Sequence, residues 1–311
     1  MNIFEWTSPE GFRWLDIANP SEHGLRQVAK QFDLPRSVVK DCLQPDHLPK
    51  YENIRSAQFV ILRAFDERAP AESDTTQELT RKIAIFKTDE FLISIHRKDQ
   101  PFISDLRKKV AEKGIEGCPE SEKNIASLLL LEIMKTVILT FEKPVQAGLA
   151  MMEDHEARIF GVKSDPPYSL QEGYVLRRRG VVFRRIVRLS QEVYAKVISS
   201  DAGDVRASIL QDIREEGDRM SYQAEDLLEG ASSLLNMHIS LSSQRTNEIV
   251  RLLTVFSVFF LPLNFVAGLY GMNFENIPGA KLEFGFHGAT LSMTFIAVGI
   301  YYWMRRQGWI K

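Results

Sequence analysis

The feature that most constrains this chain is an uncharged run of 19 residues from Leu252 to Tyr270. As an α-helix rising about 1.5 Å per residue, it would extend ~28 Å, close to the ~30 Å hydrocarbon core of a bilayer. A second run of 17 residues, Gly288 to Met304, lies near the lower limit for crossing. Either run could instead be a buried core helix, but their lengths favour two membrane spans, at about 252–270 and 287–304.

Taken as a whole, the 311-residue chain has the composition of a soluble protein, with 26% charged residues and a net charge of −2. This length accommodates a soluble domain beside the membrane part, and the charge argues against a nucleic-acid partner. The N-terminus lacks the basic flank and apolar core of a secretory signal, so we expect most of the chain in the cytoplasm. Cys42 and Cys118 have no CxxC spacing, which predicts reduced thiols and no thiolate metal site.

The charges around the two runs predict their orientation in the membrane. The loop between them, residues 273–287, holds one base, Lys281. Five bases lie outside the two runs: Arg245, Arg251, Arg305, Arg306 and Lys311. By the positive-inside rule, both termini lie in the cytoplasm and the loop lies outside. The sequence therefore predicts a multi-pass protein of the inner (cell) membrane.

The N-terminal residues 1–118 predict an α+β cytoplasmic domain, a small sheet with flanking helices. Residues 12–17 alternate like a short strand, and residues 59–65 form another apolar strand pattern. Ser21 is a capping residue for a helix expected to reach Phe32. A hairpin is predicted across residues 82–96, which gives three or four strands in all.

Residues 119–246 predict a cytoplasmic helical and stalk region, ahead of a transmembrane pore domain at 247–311. A long amphipathic helix is expected from Ile125 to about Phe160, where Asp165-Pro166-Pro167 would break the pattern. A further helix is predicted from about Gln171 to Ser200, followed by a turn at residues 201–204.

A single long helix is predicted next, because no proline occurs between Val205 and Pro262. Such a helix would have ~65 residues, or roughly 100 Å, and would run from the cytoplasm into the first span. A helix of this length needs partners along its surface, which predicts an oligomer whose stalk continues into the membrane.

The first span carries a face of small and polar residues when it is read in helical steps of three and four. These residues are Asn247, Val250, Thr254, Ser257, Leu261, Asn264 and Gly268. Helix–helix packing is one explanation; the other is a pore, in which a ring of identical helices uses this face. The face carries no charge, so its oxygens could bond the water shell of a hydrated ion, with Val250, Leu253 and Leu261 as apolar constrictions.

The C-terminal part of the chain holds four notable motifs: Thr246-Asn247-Glu248, Pro262-Leu263, the stretch Phe265–Glu275 with its Tyr270-Gly271-Met272-Asn273, and Gly308-Trp309-Ile310-Lys311. Together these motifs resemble the CorA family of divalent metal cation transporters. Leu48–Glu52 and the predicted hairpin resemble the family's cytosolic domain more loosely. The resemblance implies a funnel-shaped homopentamer in the lipid bilayer, with a pore lined by the first span and a selectivity filter at Gly271, Met272 and Asn273. The family's gating residues fall on Asn247, Val250, Leu253, Leu261 and Gly268.

The resemblance implies a channel or transporter for Mg²⁺, and also for Co²⁺ or Ni²⁺, that passes hydrated ions through a neutral pore. Two features of the sequence leave the identity of the transported ion open. Asn264 stands where a smaller hydroxyl residue is common, and residues 276–279 resemble the ZntB zinc-transporting branch, whereas Glu275 resembles the magnesium branch. A Zn²⁺ transporter is therefore one alternative, and a non-conducting, membrane-anchored regulatory protein is another.

An enzyme is not expected, because the sequence has no HxxxH pair, no glycine-rich phosphate loop and no GxSxG motif. No covalently bound cofactor is expected; divalent cations are the expected substrate and a possible regulator.

Residues 201–229 carry nine acids and three bases, an excess of six, and the preceding helix is rich in arginine. Ion pairs between neighbouring helices would explain this pattern. Regulatory cation binding is the alternative, and position relative to the family's regulatory site places it at Asp212.

Overall fold

The computed structural model describes residues 1–54, 57–114, 125–160, 169–201, 207–273, 277–279 and 283–309. The strands in this part are β1 (Asn2–Thr7), β2 (Arg13–Ala18), β3 (Lys50–Ile54), β4 (Ala57–Phe65), β5 (Thr80–Lys87) and β6 (Phe91–His96). The helices are α1 (Glu22–Gln31), α2 (Arg36–Leu43), α3 (Thr76–Leu79), α4 (Pro101–Lys113), α5 (Ile125–Leu139), α6 (Glu142–Ile159), α7 (Leu170–Ser200), α8 (Ala207–Tyr270) and α9 (Gly285–Arg306). The chain divides into two compact units, Met1–Leu235 and Asn236–Lys311, and α8 contributes to both.

The first unit is built on a mixed six-stranded sheet in the order β1-β2-β6-β5-β4-β3. Strands β2 and β6 are parallel, and the other neighbours are antiparallel. The predicted hairpin is confirmed as β5 and β6, in which Phe86 lies opposite Ile93. The predicted helix start is also confirmed, because the Ser21 hydroxyl accepts a hydrogen bond of 3.1 Å from the Gly24 amide.

The sheet lies between two layers of helices because its central strands carry apolar side chains on both faces. In β4, Phe59 and Ile61 join a core with α1 and α2, whereas Val60 and Leu62 join a larger core with α4, α5, α7 and α8. Successive side chains of a strand point to opposite faces, so a continuous apolar run requires cover on both sides. This three-layer arrangement confirms the predicted class of a small sheet with flanking helices.

The two edge strands, β1 and β3, were not predicted from the sequence. In β1 the side chains of Phe4 and Trp6 are half-buried and alternate with exposed neighbours, and the Phe4 ring packs edge-on against Trp14 at 5.5 Å. An edge strand such as β1 packs against the core with one face only. Its apolar pattern in the sequence therefore consists of two residues, Phe4 and Trp6, and is short.

The single amphipathic helix expected from Ile125 to Phe160 is wrong, because the structure has two helices, α5 and α6. They separate at Thr140 and Phe141, where the Thr140 hydroxyl donates to the Val137 carbonyl and accepts from the Phe65 amide. Pro144 lies in the first turn of α6, a position where the missing N–H group costs little. This proline is the sequence signal that marks the break.

The remaining long helices agree with the sequence. Helix α7 follows the predicted bounds, and α8 is continuous over 64 residues with Pro262 inside it. By length and composition, α8 is the one helix in the described part of the chain that could cross a membrane. The predicted break at residues 165–167 and the turn at residues 202–204 lie outside the described residues.

Helix α9 ends in a Schellman motif, in which a glycine beyond the helix takes a left-handed conformation. The Trp309 amide donates to the Met304 carbonyl at 3.0 Å, and the Gly308 amide donates to the Arg305 carbonyl at 3.2 Å. Gly308 has φ 74°, which glycine adopts without steric cost. The helix therefore stops at Arg306, just past the predicted end of the second apolar run.

A buried charge cluster joins β2, β6 and α4 in the first unit. The Asp16 and His96 side chains are fully buried; His96 Nε2 lies 3.1 Å from both Asp16 oxygens, and His96 Nδ1 lies 2.8 Å from the Lys98 carbonyl. Ser94 donates to Asp16, and Arg107 Nε lies 3.1 Å from the same carboxylate. Because both ring nitrogens face acceptors, His96 is held as the imidazolium ion.

Burial alone would lower the pKa of His96, but the hydrogen bond and charge of Asp16 outweigh burial and raise the pKa above its ordinary value. A histidine whose pKa is raised by folding stabilises the fold fully below its unfolded pKa of about 6.5, and this stabilisation is lost as the pH rises through the folded pKa. We therefore predict that the difference in unfolding temperature between the wild type and His96→Gln decreases as the pH rises from 6 to 9.

Thermal unfolding of the detergent-solubilised chain, followed by circular dichroism, measures this difference. The control is His23→Gln, since His23 lies on the exposed side of α1 and bonds only Gln27 in its own helix. A difference between wild type and His96→Gln that stays constant across this range would show that His96 carries no linked proton.

Candidate functional site

The polar face predicted on the first span lies uncovered on α8 in the second unit. Within this unit, Asn247, Ser257, Asn264 and Gly268 are exposed, and Thr254 is half-buried. The half-buried positions of the span follow a different side of the helix: Val255, Val258, Phe259, Pro262, Leu263 and Val266. Packing within one chain therefore does not account for the polar face.

The covered sides of α8 and α9 have matching patterns. On α9, the positions protected from solvent recur every three or four residues: Gly285, Ala289, Met293, Ile296, Ala297, Ile300 and Met304. A stripe with this period is the face that a helix turns toward a neighbour. Most of the polar face of α8 lies outside the protected stripe of that helix.

The two hydroxyls of the polar face are oriented by the helix backbone. Thr254 Oγ1 donates to the Val250 carbonyl at 2.7 Å, and Ser257 Oγ donates to the Leu253 carbonyl at 2.8 Å. With their hydrogens bound to the backbone, both oxygens retain lone pairs as free acceptors. The waters around a cation direct their hydrogens outward, so this face offers acceptors of the kind that a hydrated cation requires.

The three predicted constrictions are exposed apolar side chains on or beside the same face. The exposed fractions are 54% for Val250, 64% for Leu253 and 70% for Leu261. Large apolar side chains this exposed on a single chain require lipid, a neighbouring subunit or a narrow lumen to cover them.

The predicted filter begins where α8 ends. The Gly271 amide donates to the Ala267 carbonyl at 2.9 Å, which completes the last helical bond, and Met272 and Asn273 follow as exposed residues. The φ of Gly271 is not in the left-handed range. A Cβ atom there would lie 3.1 Å from the Ala267 oxygen, which is a tight contact.

A tyrosine beside the filter contacts the loop that follows it, a role that the sequence did not reveal. Tyr270 Oη donates to the Pro278 carbonyl at 3.4 Å. Gly279, the next residue, has φ 84°. The loop residues Glu275 and Lys281, used above for the ion and the orientation, lie outside the described residues.

Asp212, the predicted regulatory ligand, lines a cavity of about 220 Å³ between α4, α5 and α8 in the first unit. The cavity floor is apolar, and the charged groups around Asp212 are Glu132, Lys109 and Lys135, with Lys109 Nζ 3.3 Å from the Glu132 carboxylate. The described residues include no group of three or more histidine, cysteine or acidic side chains that could hold a metal. Two lysines beside two carboxylates do not fit a metal site built from a single chain.

Several of the acids between residues 201 and 229 are neutralised by ion pairs. Asp201, one of the nine, is buried and accepts a bond of 2.6 Å from Lys87 of β5, in a pair that is at most 4% exposed. Arg184 of α7 pairs with Glu225 of α8 at 3.2 Å. These contacts confirm ion pairing between α7 and its neighbours as the explanation for at least part of the acid-rich pattern.

Comparisons with known proteins agree with this arrangement. A family model described as "CorA-like Mg2+ transporter protein" matches residues 9–306. The cobalt/magnesium transport protein CorA of Thermotoga maritima is 22% identical over 98% of this chain and 83% of that protein. The zinc transport protein ZntB of Pectobacterium carotovorum is 21% identical over 96% and 88%, respectively. The structure of the CorA magnesium transporter from Methanocaldococcus jannaschii superposes with a TM-score of 0.74 at 20% identity, covering 96% of this chain and 92% of that one.

The family match over residues 9–306, together with the shared fold, places this chain in the class of CorA-like metal ion transporters. With a family match over nearly its whole length, the chain belongs to the CorA family of divalent metal ion transporters.

The regulatory role of Asp212 stays a prediction that requires ligands from a second subunit. If it is right, added Mg²⁺ slows limited proteolysis of the assembled wild-type protein and has no such effect on Asp212→Asn. The matched control is Glu215→Gln, because Glu215 lies one turn away on α8 and bonds Gln211 of the same helix. Equal Mg²⁺ protection of wild type and Asp212→Asn would remove Asp212 from any regulatory site.

Proposed function

We propose that this chain forms a homopentameric Mg²⁺ channel of the inner membrane, which also passes Co²⁺ or Ni²⁺. In this proposal α8 and α9 both cross the bilayer, both termini lie in the cytoplasm, and five copies of α8 surround the pore. The observation that carries it is the uncharged face of α8, which is uncovered within the chain and presents the Thr254 and Ser257 oxygens as acceptors.

A neutral face suits an ion that keeps its water. Mg²⁺ loses its hydration shell reluctantly, so a pore that stripped the ion would need charged ligands to replace that shell. The face holds hydroxyls and the carboxamides of Asn247 and Asn264, with no acid or base among them. Such groups bond the outer surface of a hydrated ion without holding it strongly, and conduction requires that an ion can leave.

The outer mouth and the gate occupy different positions on the same helix. Asn273 follows the end of α8, where five copies of its carboxamide would form a collar of acceptors and donors. Val250, Leu253 and Leu261 lie further along α8 toward its N-terminus, where rings of apolar side chains would close the lumen by excluding water. The filter of Gly271, Met272 and Asn273 would then select the ion, and the apolar rings would control its passage.

A Zn²⁺ transporter is the second candidate. Two observations favour it: relatives named as zinc transport proteins match at 21% to 23% identity, similar to the 22% of the cobalt/magnesium relatives, and residues 276–279 resemble the zinc branch. A non-conducting, membrane-anchored regulatory protein is the remaining alternative. Measurement of ion uptake separates the three.

We predict that the purified protein, in proteoliposomes, takes up Mg²⁺, and that Asn273→Ala lowers uptake at least about tenfold, equivalent to about 1.4 kcal/mol in the interaction of the ion with the filter. Uptake of Mg²⁺, Co²⁺, Ni²⁺ and Zn²⁺ is compared with and without a pH gradient. Ser292→Ala serves as the control, because among the described residues its hydroxyl bonds the Ala289 carbonyl of its own helix, α9. Wild-type flux through an assembled Asn273→Ala oligomer would refute the role of Asn273 in the filter. Uptake restricted to Zn²⁺ would favour the Zn²⁺ transporter.

We also predict that Leu261→Ser raises the resting conductance several-fold, because a hydroxyl makes the apolar ring easier to wet. The measurement is leak current or Mg²⁺ flux under conditions that close the wild-type channel. Leu291→Ser provides the same substitution on α9, at a residue that is 59% exposed and lies off the polar face of α8. Unchanged conductance in Leu261→Ser would remove this residue from the gate.

A further inference from the structure

Tyr270 is the residue of the filter motif to which the proposed function gives no role. It is the last residue of α8, and its hydroxyl donates to the carbonyl of Pro278, eight residues later. Along the chain, the segment 270–278 contains all three predicted filter residues, and this contact links its first residue to its last. The filter residues therefore lie, in sequence, between the Tyr270 side chain and the Pro278 carbonyl that it binds.

The two ends of the segment are fixed by different interactions. At its start, the Gly271 amide completes the last bond of α8 with Ala267. At its end, Pro278 has no N–H group, so its carbonyl is the one backbone group through which this residue can be held by a hydrogen bond. Asn273 lies between these two ends, three residues after Tyr270.

Gly279 places the Pro278 carbonyl against the tyrosine. Its φ of 84° is left-handed, a conformation that is strained for residues with a side chain. A Cβ atom at this position would lie 3.6 Å from Tyr270 Oη, which is an ordinary contact. An alanine here would therefore disturb the turn through backbone strain and not through a collision with the ring.

We propose that Tyr270 is a positioning residue for the filter: its hydroxyl fixes the far end of the segment through the Pro278 carbonyl and so sets where Asn273 lies. This inference rests on the proposed function for its effect on ions, but the contact itself can be tested without transport. Sites that recognise a ligand by geometry lose performance when a supporting contact allows shifts of about 1 Å.

The test is Tyr270→Phe, which removes the hydroxyl and keeps the ring. The control is Tyr302→Phe on α9, whose hydroxyl makes no bond to the described residues and whose side chain is 68% exposed. Hydrogen–deuterium exchange is followed at the start of the peptide 271–278, where the Gly271 amide is bonded to the Ala267 carbonyl. This exchange is expected to be about fivefold faster in Tyr270→Phe, because loss of one ordinary hydrogen bond lets the segment open more often. Gly279→Ala, which strains the partner turn, is expected to give the same change, and Tyr302→Phe to give none.

In proteoliposomes, the Mg²⁺ concentration for half-maximal uptake is expected to rise about fivefold in Tyr270→Phe, while the amount of assembled oligomer stays unchanged. A tyrosine that served only to stabilise the helix would change the amount of folded protein and leave half-saturation alone. If the wild type moves no ion, the proposed function fails. The exchange measurement still tests the hydrogen bond between Tyr270 and Pro278. Exchange in Tyr270→Phe or in Gly279→Ala equal to that of the wild type overturns the proposal, as does wild-type half-saturation in a conducting Tyr270→Phe protein.

Discussion

A backbone that crosses hydrocarbon must satisfy its hydrogen bonds within its own segment, and the remaining features of α8 depend on this constraint. The helix extends from Ala207 to Tyr270 without a break, although Pro262 removes one donor. Because the backbone bonds are internal, the side chains alone decide what each face of the helix contacts. The hydroxyls of Thr254 and Ser257 then donate to this backbone, which leaves their oxygens as acceptors on the uncovered face.

The chemistry of that face determines which ions it could pass. A charged face would bind a divalent cation strongly and slow its release, whereas an apolar face would exclude water altogether. The face of α8 combines neutral acceptors with apolar side chains at Val250 and Leu261, so it can separate ion recognition from gating. Relatives named for cobalt/magnesium transport and for zinc transport match this chain at similar identities, 21% to 23%. In the proposed channel, a few side chains at the filter select the ion.

Patterns within one element were predictable from the sequence, and contacts between distant elements were not. The bounds of α7, the C-terminal end of α8, the cap at Ser21 and the β5–β6 hairpin follow from local periodicity and turn residues. The edge strands carry too few apolar residues to be detected, and Pro144 was a signal that the apolar run of α5 obscured. The Lys87–Asp201 pair joins residues 114 positions apart, and the Tyr270–Pro278 bond depends on a loop conformation, so neither has a local signature. At the site, the polar face was predicted; its uncovered state and the orientation of its hydroxyls required the structure.

The central claim is that the polar face of α8 lines an aqueous path. It is tested most directly by single cysteines, placed along residues 247–268 in a chain from which Cys42 and Cys118 have been removed, and treated with a membrane-impermeant thiol reagent. The account predicts that reactivity, and block of Mg²⁺ uptake, follow Val250, Thr254, Ser257, Leu261 and Asn264, while Phe256 and Phe260 on another side of the helix stay unreactive. Reactivity centred on Phe256 and Phe260, or a complete absence of reactivity on the polar face in a conducting protein, would contradict it.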